Sequence, residues 1–259
     1  MTSIFVGIDV ACGRGKRLPI CFVETGERLR PLASRADLAD FPLGPGNVEI
    51  EQPNPFAETA RKVSDEIVAL ATREGWRIER IAIDAPAAPP RKGERRSELA
   101  LRERRMSVFS TPTDEKWRQI VASCKAHLDR GESPARLPHA NKIWMLYGFE
   151  LYRGLRERLK VPVIETYPYA IVRSLILNPQ HKKQDAGYQS QLEAVAARTG
   201  WPTGGELEDA LKASVPGTRD DRLDAFMAAW VASLSDADLH AYGDRSDPDD
   251  SVWGPPLAR

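Results

Sequence analysis

The stretch SIFVGIDV, Ser3–Val10, reads as a buried strand, interrupted by Gly7 and closed by the carboxylate of Asp9. Two further apolar stretches follow, Arg17–Glu24 and Glu27–Ala33, joined by the hairpin-type link Thr25-Gly26, so the sheet is expected to begin with three antiparallel strands. After a Pro- and Gly-rich loop (Asp37–Pro55), Phe56–Glu74 has Ala60, Val63, Ile67, Leu70 and Ala71 on one helical stripe and stops at Gly75. Ile78–Asp84 is again a strand ending in Asp, and strand–helix–strand at this spacing predicts a parallel crossover. A helix over Lys142–Leu159 precedes a strand at Lys160–Tyr167, and helices are expected at Pro168–Leu177, Gln189–Arg198 and Asp220–Leu234. Pro89–Ala140 is too long for a plain crossover and reads as an inserted helical cap, residues 89–140. The acidic Asp244–Asp250 is expected to be a mobile tail as far as Val252-Trp253. The whole is an α/β fold with a mixed sheet and helices on both faces.

The chain has 259 residues, with 37 Lys+Arg against 37 Asp+Glu and four His, so its formal net charge is zero. That length suits a single domain, 1–259, carrying an insertion. Hydrophobic residues at 42% and charged residues at 29% exclude a mostly disordered chain. A pI near 6.9 argues against a globally basic nucleic-acid packager but leaves room for a local basic patch. Cys12, Cys21 and Cys124 are odd in number and scattered, with no C-x-x-C, which points to a reducing compartment rather than a disulfide framework. The four histidines show no zinc-binding spacing. No apolar run reaches the roughly 18 residues of a membrane span, and with a strand expected within three residues of the start no signal peptide is expected. A soluble, cytoplasmic protein is expected.

The chemistry is carried by where carboxylates fall. Asp9, Asp84 and Glu165 each end an apolar strand (IFVGID, IAID, VIE), and the carboxyl ends of parallel strands are where ligands gather. Carboxylates that meet there cannot all stay ionised without a cation, and an oxygen-only ligand set favours Mg²⁺ or Mn²⁺. The last helix adds Asp220, Asp221 and Asp224, of which Asp221 and Asp224 share a face. The ordinary reading of Asp220 is a helix cap, and that of Asp9 or Asp84 alone is a turn carboxylate. Asp224 is harder to explain that way, because Leu223, Ala225 and Phe226 beside it look packed.

Seven stretches in order, GIDVA (7–11), AIDAP (82–86), R-x-x-E-x-x-x-R (95–102), SVF (107–109), IETYPYA (164–170), KK…G (182–187) and DDRLDA (220–225), resemble family 429 of the domains of unknown function. These are predicted nucleases of the ribonuclease H-like superfamily. The resemblance spans nearly the whole chain. It implies a ribonuclease H-like mixed five-stranded sheet and two-metal phosphodiester hydrolysis. Asp9 would bridge the ions, with Asp84, Glu165, Asp221 and Asp224 completing their shells. The family commonly has Asp where this chain has Glu98.

RKGERRSELALRERR, Arg91–Arg105, reads either as a solvated helix face with i,i+4 ion pairs or as a phosphate-binding lid containing Arg95 and Arg102. Lys182 and Lys183 are further candidates to approach a phosphate, and equally ordinary loop lysines. The six tryptophans form no aromatic-basic ladder, and Cys12 reads as a bystander thiol. The leading expectation is a metal-dependent nuclease with DNA or RNA as partner. An actin-like or sugar-kinase-type phosphotransferase also begins with Gly-x-Asp, but Pro86 stands where a D-x-G turn is expected, and Gly204-Gly205 is the only glycine pair. A non-catalytic nucleic-acid-binding module is the third reading.

Overall fold

The computed structural model describes residues 1–256. Among them are seven strands and eight α-helices, in the order β1 (Thr2–Asp9), β2 (Ile20–Glu24), β3 (Arg30–Pro31), α1 (Ala57–Arg73), β4 (Trp76–Asp84), α2 (Arg96–Glu103), α3 (Asp114–Asp129), α4 (Trp144–Arg158), β5 (Val163–Thr166), α5 (Pro168–Leu175), α6 (Asp185–Arg198), α7 (Gly204–Ser214), α8 (Arg219–Ser233), β6 (His240–Gly243) and β7 (Ser251–Gly254). No helix among the described residues is long and apolar enough to cross a membrane.

All strands join one mixed sheet, ordered β3-β2-β1-β4-β5-β7-β6. The first three strands pair antiparallel, while β1, β4, β5 and β7 run parallel. Alternation along each strand sends successive side chains to opposite faces. Ile4, Val6 and Ile8 of β1, with Ile81 and Ile83 of β4, pack beneath α1 and α4. On the other face Phe5, Ala82 and Ile164 meet α8, whose outer side is covered by α6 and α7.

The α8 face is built on small residues. A Cβ placed on Gly7 would lie 2.1 Å from both the Ala225 carbonyl oxygen and the Ala229 nitrogen, so the helix backbone rests directly on β1. Ala228 and Ala232 continue the contact over Ala82. Both helix ends are fixed. Thr218 and Asp221 form a reciprocal capping box at the N-terminus. At the other end Arg80 of β4 donates to the carbonyls of Ala232 (3.3 Å) and Leu234 (2.7 Å).

The sheet has seven strands, not five. The five expected strands are contiguous, β3-β2-β1-β4-β5, and a C-terminal hairpin, β6–β7, extends the sheet beyond β5. The expected mobile tail is the loop of that hairpin, tied down by its own acids. The Asp250 carboxylate accepts from the Arg96 and Ser97 N–H groups at the start of α2, and Asp249 pairs with Arg156. Four-residue strands and intervening charges gave the hairpin no periodic signal. The 89–140 segment contributes helices and no strand, but its helices part company: α2 packs on the hairpin, and α3 joins the apolar layer of α1 and α4 through Trp117 and Ile120.

Replacing Gly7 by Ala should destabilise the fold by about 1–3 kcal/mol or more, because overpacking here meets backbone. Gly205→Ala, at an exposed position near the start of α7, is the control. Urea denaturation should show a lower midpoint for Gly7→Ala alone. An unchanged midpoint would mean that α8 does not sit against β1 as described.

Candidate functional site

Asp9 and Asp84 are register partners at the ends of adjacent parallel strands. Each lies two residues beyond a small residue, Gly7 or Ala82, so both carboxylates face α8. The helix runs antiparallel to β1, and its second turn brings Asp224 over the strand ends. One carboxylate oxygen from each of Asp9, Asp84 and Asp224 lies within 4.8 Å of the others. Asp9 and Asp84 are half-buried and Asp224 is buried.

Burial raises the pKa of all three carboxyls. For Asp9 and Asp84 the Asp224 charge adds to the effect, and Asp9 also feels Asp84. For Asp224 the Lys182 ammonium opposes the rise. Lys182, from the loop before α6, donates to Asp224 Oδ2 and is the cation paired with the triad. Asp224 Oδ1 is buried with no hydrogen-bond partner among the described residues. This is a compact, oxygen-only, negatively charged site.

The other candidate residues are placed differently. Glu165 pairs in register with Ile83, one residue short of the Asp84 row, and therefore faces the α4 side of the sheet with Val163. It does not join the triad. Instead it accepts two hydrogen bonds from Arg95 (2.8 and 2.5 Å) and one from the Ala87 N–H (3.0 Å). Arg95 is 2% exposed and also donates to the Asp249 carbonyl, so it is an internal tie rather than a phosphate contact. Arg102 pairs with Glu94 and Glu98, the helix-face alternative for this run. Asp221 Oδ2 accepts from the Thr218 N–H (2.9 Å), which makes Asp221 the partner in the cap and leaves Asp220 outside it. Lys183 is exposed. Cys12 is buried, and burial raises its thiol pKa.

Glu98 has a definite place. Its Oε1 accepts from the Thr111 N–H (2.9 Å), clamping the segment after α2. That segment borders a cleft of about 600 Å³ which opens beside the triad and is lined by Asp84, Asp224, Lys182, Phe109, Tyr167 and Tyr169. None of the aromatic residues was a candidate from sequence, although they lie inside SVF and TYPY. A signal was present in those two stretches: aromatic residues directly beside proposed ligands, Phe109 on a loop and Tyr167 and Tyr169 at the start of α5.

A profile described as "Protein of unknown function (DUF429)" matches residues 7–245. The chain belongs to this family. No curated protein and no solved structure matches it. The DUF429 match takes in all three clustered aspartates, Lys182 and the aromatic side of the cleft.

With divalent ions chelated, Asp84→Asn should raise the melting temperature at pH 8 by about 2–4 °C, the shift that about 1 kcal/mol produces in a domain of this size. The sign follows from the raised carboxyl pKa: the native state holds extra protons, so stability is lost as pH rises through the folded-state value. The advantage of Asn should therefore fade as pH falls and Asp84 becomes neutral. Thermal melts from pH 8 down to pH 4 check this; a loss of stability at pH 8 would contradict it.

Proposed function

We propose that this DUF429 protein is a divalent-metal-dependent phosphodiester hydrolase, a nuclease built on a ribonuclease H-like sheet. The observation that carries this reading is the convergence of Asp9, Asp84 and Asp224 on one point at the carboxyl ends of two parallel strands. The five contiguous strands β3-β2-β1-β4-β5, antiparallel at one edge, fit the sheet that the family resemblance implies.

The donor set suits Mg²⁺ or Mn²⁺. Every clustered ligand is a carboxylate oxygen, and one buried oxygen of Asp224 has no partner among the described residues. Asp9, Asp84 and Asp224 would hold the metal. When bound, divalent ions supply positive charge that makes water more acidic and offsets charge developing on phosphoryl oxygens. The chain's own groups do the positioning. Gly7 and the two ends of α8 fix Asp224 relative to the strands, while Lys182 offsets part of the triad's charge. An ammonium has three N–H donors, so Lys182 can keep Asp224 and still face an anionic oxygen. Arg95 neutralises Glu165 one row away, so that carboxylate adds little net repulsion for an incoming phosphate. The Ala87 N–H, just beyond β4, is already bound to Glu165, which disfavours a phosphate loop there and with it the kinase-type reading.

Titration calorimetry with Mn²⁺ and a hydrolysis assay on single- and double-stranded DNA and RNA test the proposal together. The wild-type protein should bind Mn²⁺ and cleave at least one of these substrates. Asp9→Asn should lose Mn²⁺ binding and more than about a hundredfold in rate, exceeding the loss usual for groups that only orient ligands. Equal Mn²⁺ affinity in both proteins, or no cleavage by wild type, would overturn it.

A further inference from the structure

Phe109 is 56% exposed, one of few large apolar side chains so open to solvent among the described residues. It is not on a loose segment. The Ser107 carbonyl accepts from the Tyr167 hydroxyl, and the Ser110 carbonyl accepts from Lys142 Nζ (2.9 Å). The Ser110 hydroxyl donates to Glu94 (3.2 Å), and the Thr111 N–H donates to Glu98 (2.9 Å). Four side chains from three parts of the chain thus hold this short stretch, and its phenylalanine points neither into the core nor freely away. The ring is braced edge-on by Trp144, with centroids 6.5 Å apart.

The same cleft carries Tyr167 and Tyr169, an edge-to-face pair 6.1 Å apart, and Met227 of α8. Its volume of about 600 Å³ falls in the range of roughly 300–1,000 Å³ typical of small-ligand pockets. Its polar boundary includes Asp84 and Asp224 of the triad, Lys182 with Gln180 and His181 before it, and Gln191. Aromatic surfaces held in advance beside a phosphate-seeking centre match one kind of group: a flat ring joined through a sugar to the phosphate. Pre-ordering matters because no further loop entropy is lost when the ring binds.

We propose that this cleft is a nucleobase subsite, which takes the unstacked base of the nucleotide next to the phosphate at the triad. Within a duplex both faces of a base are covered by its neighbours, so only a single strand or a frayed end offers the ring. The subsite therefore selects single-stranded nucleic acid over continuous duplex. Stacking tolerates every base, so the selection is for strandedness rather than sequence. This inference rests on the nuclease reading for its placement of the phosphate, but base recognition is measurable without cleavage.

The test is fluorescence anisotropy in Ca²⁺ with a labelled eight-nucleotide DNA strand, the same strand with abasic sites, and the blunt duplex. Wild type should favour the base-bearing strand over both. Phe109→Ala should weaken binding of that strand about tenfold, the scale of one lost stacking contact, and leave the abasic strand unaffected. Phe109→Tyr, which keeps a ring, should restore the preference, and melting curves of the exposed-site variants establish that they fold. Equal binding of base-bearing and abasic strands by wild type, or an unchanged preference in Phe109→Ala, would overturn the subsite. Free thymidine monophosphate competing as well as the strand would overturn strand selection in favour of a mononucleotide ligand. Mn²⁺ calorimetry on the same samples separates the two proposals. Base-dependent binding without Mn²⁺ affinity removes the hydrolase reading and keeps the subsite, whereas Mn²⁺ affinity with base-independent binding does the reverse.

Discussion

The bare contact between α8 and β1 is the constraint from which the rest of the site follows. Gly7 offers no side chain, so the backbone at Ala225 and Ala229 comes to rest on the strand itself. At that separation the second helical turn lies over the strand ends, and Asp224 enters the same small volume as Asp9 and Asp84. A helix held off by even one larger side chain would leave Asp224 away from the strand carboxylates. Apolar burial alone does not set this distance; small residues on both partners do. Burial then leaves three like charges where each raises the cost of ionising its neighbours, partly relieved by Lys182.

The second organising element is the buried Arg95–Glu165 pair. Glu165 lies one residue before the end of β5, near where Asp9 and Asp84 close β1 and β4, yet points to the opposite face, and a charge there needs a partner. Arg95 supplies it, and the surrounding acids tie α2 and the β6–β7 hairpin to the sheet. Through Glu98 this network also holds the segment carrying Phe109. Arg95, Arg96 and Arg102 of the basic run thus become architecture, and their effect on the cleft is to help fix an aromatic wall.

Much of this was legible in the sequence, for reasons that can be named. Strong periodicity located β1, β4 and α1, and the short links gave the antiparallel start. Asp9, Asp84 and Asp224 stood out because each is a carboxylate embedded in apolar sequence. Glu165 looked equivalent because strand endings are visible in sequence while inter-strand register is not; a one-residue offset reverses the face. The small residues at Gly7 and Ala82, two before the aspartates, mark the face on which a helix approaches closely, and β5 has Val163 two before Glu165. Arg95 resembled its exposed neighbours because composition does not show which member of a basic run turns inward. The hairpin β6–β7 was hidden by its brevity, whereas α7 was legible in its Thr203 cap and in Leu207 and Leu211 one turn apart.

Asp9, Asp84 and Asp224 are proposed to form one metal-binding centre. Anomalous diffraction from crystals of the full chain soaked in Mn²⁺ addresses it most directly, because it locates the ion rather than inferring its position. A strong Mn²⁺ peak in contact with oxygens of all three aspartates is the expected result, with Glu165 still bound to Arg95. An ion held elsewhere, for instance by the acidic hairpin loop at Asp244–Asp250, with none at the triad, would contradict it.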